Sequence, residues 1–113
     1  MNFQDITGKQ LGQAAITAGY TTIYTTPTTP ATRTFLKTMD ICNTTAGALG
    51  LYLHLVPSGG SAATTNAVYY NTSVAANTTL QWHSCHIMNS GDTIQIKGSG
   101  TGLTITASGA EAI

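Results

Sequence analysis

Charge is scarce in this sequence. Only 7% of its 113 residues are Asp, Glu, Lys or Arg, where an ordinary globular chain carries about 25%. The basic residues Lys9, Arg33, Lys37 and Lys97 stand singly, so no basic stripe follows a phosphate backbone and nothing points to nucleic acid. The acidic residues Asp5, Asp40, Asp92 and Glu111 are equally dispersed, which leaves paired-carboxylate chemistry poorly supplied. No apolar run approaches the roughly 20 residues of a membrane-spanning helix, so no membrane partner is expected. Cysteine is limited to Cys42 and Cys85. The first residues show neither a basic nor an apolar leader region, so synthesis in a cytoplasm and two free thiols are expected. No stretch has a helical period, and no internal repeat is evident.

What is abundant is Thr, Gly, Ala, Ser and Asn, arranged as short alternating segments between small polar turns. The clearest segment is Ala48–Pro57, in which Leu49, Leu51, Leu53 and Leu55 recur at every second position. A strand sends alternate side chains to opposite faces, so the four leucines share one face. Burial of each is worth roughly 1.5–3 kcal/mol, which makes this strand the expected centre of the core. Its other face, Gly50, Tyr52, His54 and Val56, is mixed and is expected to meet solvent or a neighbour. Pro57 removes a backbone donor, and Ser58-Gly59-Gly60-Ser61 forms a turn.

Further strands are expected over Gly19–Thr26, Thr32–Asn43, Ala67–Tyr70, Thr78–Met88, Thr93–Lys97 and from Leu103 almost to the end. In Thr32–Asn43, Lys37 and Asp40 interrupt both faces, so a bulge is expected midway. Turns recur every 8–12 residues, the spacing of a sandwich or small barrel. The sequence therefore predicts an all-β, single antiparallel β-sandwich of seven to eight strands, jelly-roll-like or Ig-like. Residues 14–113 would form this domain. Residues 1–13 would form an N-terminal arm or a first strand near Leu11–Ala15, with Phe3, Ile6 and Leu11 as candidate contacts to a neighbouring subunit or capsid.

Little in the chain supports catalysis. His83, Cys85 and His86 form the most suggestive cluster, but a regular strand turns His83 and His86 to opposite faces, and no carboxylate is placed to orient a Cys–His pair. No catalytic residue, metal site or cofactor is expected. The Ser-Gly-Gly-Ser turn has neither the lysine nor the helix of a phosphate cradle. Tyr52, Tyr69, Tyr70 and Trp82 are candidates for a partner or glycan surface, since strand aromatics serve either as core or as a platform.

The order of turn motifs is more informative than any one of them. Ile41-Cys42-Asn43-Thr44 precedes Leu51-Tyr52-Leu53 and Val56-Pro57-Ser58-Gly59-Gly60. Leu80, Asn89-Ser90-Gly91-Asp92-Thr93-Ile94 and Ile105-Thr106-Ala107-Ser108-Gly109 follow. From about Thr21 onward this order resembles small virion proteins of tailed bacteriophages, although the His83–His86 cluster departs from their plainer pattern. The resemblance implies a β-sandwich structural subunit of a capsid, neck or tail assembly, with no catalytic residues. The expected role is a non-enzymatic virion protein that decorates or cements a capsid. Its partners would be copies of itself, by analogy as a trimer, and the major capsid protein. A neck, tail or fibre protein and a host-glycan-binding module are the alternatives.

Overall fold

The computed structural model describes residues 6–113. Phe3, expected as an anchor, lies outside them. Eight strands follow in order: β1 Ile6–Ile16, β2 Thr21–Thr25, β3 Arg33–Asn43, β4 Leu49–Val56, β5 Ala67–Val74, β6 Thr79–Met88, β7 Thr93–Gly98 and β8 Leu103–Ala112. They form two four-stranded sheets, A in the order β1-β8-β3-β6 and B in the order β2-β7-β4-β5. All pairings are antiparallel.

The pairing scheme has one logic. β1 joins β8, β2 joins β7, β3 joins β6 and β4 joins β5. This is a single long hairpin whose tip is the β4–β5 connection, rolled so that β3 also meets β8 and β4 also meets β7. Such a roll of eight strands in two sheets is a jelly roll. An Ig arrangement keeps its first two strands in one sheet, whereas β1 and β2 lie in different sheets.

The leucine strand sits where its pattern placed it. Leu51 and Leu53 are fully buried, and Leu49 and Leu55 pack on the core at either end of β4. Ile94 and Ile96 on β7 and Leu103, Ile105 and Ala107 on β8 complete the same apolar layer. The bulge expected in the second long strand lies between Leu36 and Thr38. It turns Lys37 outward and lets Thr34, Leu36, Met39, Ile41 and Asn43 all point into the core.

The N-terminal segment differs from a free arm. Ile6–Ile16 pairs along its length with β8 as the edge strand of sheet A. Leu11 is 6% exposed and belongs to the core. It therefore cannot serve as a subunit contact: a bulge between Gln10 and Gly12 shifts the strand register at this leucine. Ile6 remains 67% exposed.

Each end of the sandwich is tied by one polar residue from the turn motifs. Asn43 is fully buried, donates from Nδ2 to the carbonyls of Gly47 and Val74, and accepts from Thr45 through Oδ1. At the opposite end Asp92 accepts from the backbone N–H of Ser58 and of Asn89. Gly91 precedes it with φ +85°, a conformation that glycine adopts without steric cost. These motifs are connections between loops, which agrees with reading them as turn chemistry.

The two sheets are also linked by a polar contact inside the sandwich. Tyr24 of β2 points inward; its hydroxyl donates to Glu111 of β8 and accepts from Thr34 of β3 at 2.7 Å. Lys9 of β1 pairs with the same glutamate at 3.4 Å. Burial first, then the hydrogen bond to Glu111, pushes the Tyr24 phenol up to about 12.

Candidate functional site, an aromatic row on the outer face of sheet B

The register across sheet B places four side chains in one transverse row. Tyr52 of β4 stands opposite Lys97 of β7. Tyr20 precedes β2 one residue before Thr21, which pairs with Ile96, and so falls beside Lys97. Tyr70 of β5 reaches Tyr52 from the other side, ring centroids 5.1 Å apart at 87°. The order across the face is Tyr20, Lys97, Tyr52, Tyr70. The Lys97 ammonium lies between two rings, 4.8 Å from the centroid of Tyr20 and 4.6 Å from that of Tyr52. A cation so placed is attracted by both ring quadrupoles.

His54 anchors the row from beneath. It projects from the same face of β4 as Tyr52, yet it is fully buried, because the 57–66 loop folds back over it. Its Nδ1 lies 2.9 Å from the Ala63 carbonyl and 2.8 Å from Asn66 Oδ1. Both are acceptors, so Nδ1 carries the proton. Nε2 is then free to accept the Tyr20 hydroxyl at 3.0 Å. Asn66 in turn accepts from the Ala63 N–H and donates to the Ser61 carbonyl. The turn expected to be a plain connection is thus a structured cover that fixes one histidine, and through it one tyrosine.

Tyr52 and Tyr70 of the expected aromatic surface come together in this row, and Tyr69 and Trp82 do not. Tyr69 is the cross-strand partner of Leu53 and packs on the core, where burial raises its phenol pKa. Adjacent strand residues face opposite ways, so the Tyr69/Tyr70 pair divides between the two faces. Trp82 lies in the other sheet beside Met39, packs on the core and stacks on His86, centroids 5.1 Å apart and 8° from parallel. Tyr20, Lys97 and the buried His54 are additions to the expected set. Alternation alone hides Tyr20: Tyr20 and Tyr24 share parity, but a bulge between Thr22 and Tyr24 sends the latter inward.

His83 and His86 fall on opposite sides of sheet A, opposite Thr38 and Leu36 respectively. Among the described residues no group of three His, Cys, Asp or Glu is arranged to hold a metal. Cys42 pairs across from Thr79, six residues from Cys85. At about 3.3 Å per residue that is about 20 Å, far beyond the roughly 7 Å a disulfide can bridge.

The sequence matches no family model and no curated protein. Solved structures do resemble the fold. One of infectious bursal disease virus, Gx strain, aligns over 96% of this chain and 32% of its own with TM-score 0.54 at 15% identity. The VP2 subviral particle of infectious bursal disease virus aligns over the same shares with TM-score 0.54 at 11% identity. The T13 viral particle of that virus gives TM-score 0.51 at 13% identity over 96% and 30%. At these identities the likeness is one of fold, and the chain spans about a third of the length of these three chains.

Proposed function

We propose that this protein is a non-enzymatic structural subunit of a tailed-bacteriophage virion, attached to the capsid as a decoration or cement protein. The observation that carries the reading is the apolar row on the outer face of sheet A. Ile87 on β6, Phe35 on β3 and Ala110 on β8 lie side by side in register, with Gly8 of β1 beyond them. Ile87 is 57% exposed. On the same face Asp40 holds a shielded carboxylate oxygen, Oδ1, without a hydrogen-bond partner among the described residues. An apolar row on the same face as an unsatisfied acceptor suits coverage by another protein surface.

Two features support assembly over a solitary existence. The formal net charge is zero, so little repulsion opposes close packing of identical chains. The edge strand β6 carries no Lys, Arg, Asp, Glu or Pro over Thr79–Met88, and such residues are the usual means of blunting an edge. The fold likeness to proteins of viral particles agrees with this reading, as does the resemblance of the turn motifs to phage virion proteins.

Sedimentation of the full-length protein with and without empty phage capsids tests the proposal. A homo-oligomer, a trimer by analogy, that co-sediments with capsids is expected. A protein that stays monomeric at high concentration and never co-sediments overturns it, in favour of a tail or fibre location. The aromatic row of sheet B favours a second reading, a binding module for host glycan, which the jelly roll also accommodates in lectin domains.

A further inference from the structure

The two outer faces of the sandwich expose different chemistry. The large apolar side chains exposed within sheet A are Ile6 and Ile87, both aliphatic, whereas those exposed on the sheet B side are tyrosines, Tyr20 at 44% and Tyr70 at 57%. Tyrosines are amphipathic: each offers a π-face and a hydroxyl, and each orders at small entropic cost because it has few rotatable bonds. Thr22 and Gln95 form the next register row on that face. A surface of this kind suits a ligand that is itself polar on its edges and carries C–H groups on its faces.

Lys97 adds a charge to this surface. Lys9 is paired with Glu111, but Lys97 has no hydrogen bond or ion pair among the described residues; its contacts are the Tyr20 and Tyr52 rings. Rings on two sides hold the ammonium in place and leave its N–H donors without a protein acceptor among the described residues. A held cation with free donors is complementary to an anion. A nucleic acid strand would need several cations along its path, and this face presents one. A single carboxylate flanked by stackable rings is the matching chemistry.

We propose that the outer face of sheet B binds a carboxylate-bearing saccharide, with Tyr20, Tyr52 and Tyr70 as the stacking surface and Lys97 as the partner of the sugar carboxylate. The electropositive C–H groups of a pyranose face lie against the electron-rich ring faces, which water does not reward in the same way. The carboxylate enters between the tyrosines to meet Lys97. His54 is a positioning residue: it holds the Tyr20 hydroxyl and sets that ring edge-on, centroids 5.3 Å apart. The row spans four strands, about 14 Å at ~4.8 Å between neighbours, so it is longer than one sugar ring and suits an oligosaccharide. This deepens the glycan reading above and is independent of where on a particle the protein sits.

The test is an array of glucuronate-, galacturonate- and sialate-terminated oligosaccharides printed beside their neutral counterparts, probed with the full chain and followed by calorimetric titration of the best binder. Binding of acidic members, weakened about tenfold or more by Lys97→Met and kept by Lys97→Arg, supports the proposal. Tyr70→Ala, at a position more than half exposed, should weaken binding without shifting the urea unfolding midpoint, which keeps the test valid if the Lys97 variant does not fold. Absence of any glycan binding, equal binding of neutral partners, or Lys97→Met binding unchanged overturns it. Loss of self-association with Lys97→Met in place of glycan binding would assign the face to a second copy and overturn it too. Capsid co-sedimentation of the same variant reads the virion proposal separately.

Discussion

At the scale of single residues, stability rests on a few fully buried side chains and on polar residues that each serve two strands. Leu53 lies at the centre of β4 with no exposure, and truncation leaves a cavity that the surrounding sheets cannot collapse to fill. Leu53→Ala should cost about 2–5 kcal/mol in urea-monitored unfolding, and a loss below about 0.5 kcal/mol would contradict its place in the core. Tyr24 makes a prediction in pH. Its phenol is held near 12 in the folded protein against 10.0 normally. The folded state therefore keeps a proton that the unfolded chain releases first. The resulting contribution is fully present below pH 10, and is lost as pH rises through about 12. Stability of the wild type should thus fall over that window more steeply than that of Tyr24→Phe, measured by denaturant midpoints from pH 8 to pH 12.

At the scale of elements, β1 and β6 are the two edges of sheet A and behave differently. β1 contributes Leu11 and Ile16 to the core and Lys9 to the pair with Glu111. Deleting Met1–Gly12 removes most of this strand and leaves β8 with an unpaired side. The expected outcome is a destabilised sandwich with faster amide exchange along β8, read by hydrogen exchange, and not a folded domain that has merely lost an arm. β6 instead carries the exposed end of the apolar row, Ile87. Ile87→Lys places a charge on that row and beside that edge, a device that natural edges use against pairing. It should abolish self-association and capsid co-sedimentation while leaving the thermal midpoint nearly unchanged, because Ile87 is 57% exposed and contributes little to the core. Association that persists in the Ile87→Lys protein would remove this face from the interface.

At the scale of the whole molecule, the rolled hairpin gives two broad outer faces of different chemistry. Sheet A offers an apolar row and, along β6, an uncharged edge, the material of a contact between protein subunits. Sheet B offers a tyrosine row with a held cation, the material of a polar ligand site. The virion proposal accommodates this division: one face is covered by the particle while the other looks outward. It predicts that protein–protein association and saccharide binding are separable. Ile87→Lys should remove the first and spare the second, and Lys97→Met the reverse; sedimentation and glycan titration on both variants check it. If either variant loses both activities, the faces are not independent.

The elements and much of the core are legible in the residue pattern. The two-residue period of Leu49, Leu51, Leu53 and Leu55, of Ile94 and Ile96, and of Leu103, Ile105 and Ala107 marks inward faces, because a pleated strand has only two sides. The bulge near Lys37 was also legible, since a charge on each face cannot be reconciled with an unbroken register. Strand pairing is settled in the folded chain: one alternating pattern suits a jelly roll and an Ig sandwich equally, and the choice depends on which distant segments meet. The same holds for the aromatic row. Tyr20, Lys97, Tyr52 and Tyr70 are far apart along the chain and become neighbours only through cross-strand register, and His54 is buried by a loop whose return no local period records. Leu11 shows the converse, because an apolar residue in a polar segment reads as an anchor until β8 supplies the strand it pairs with.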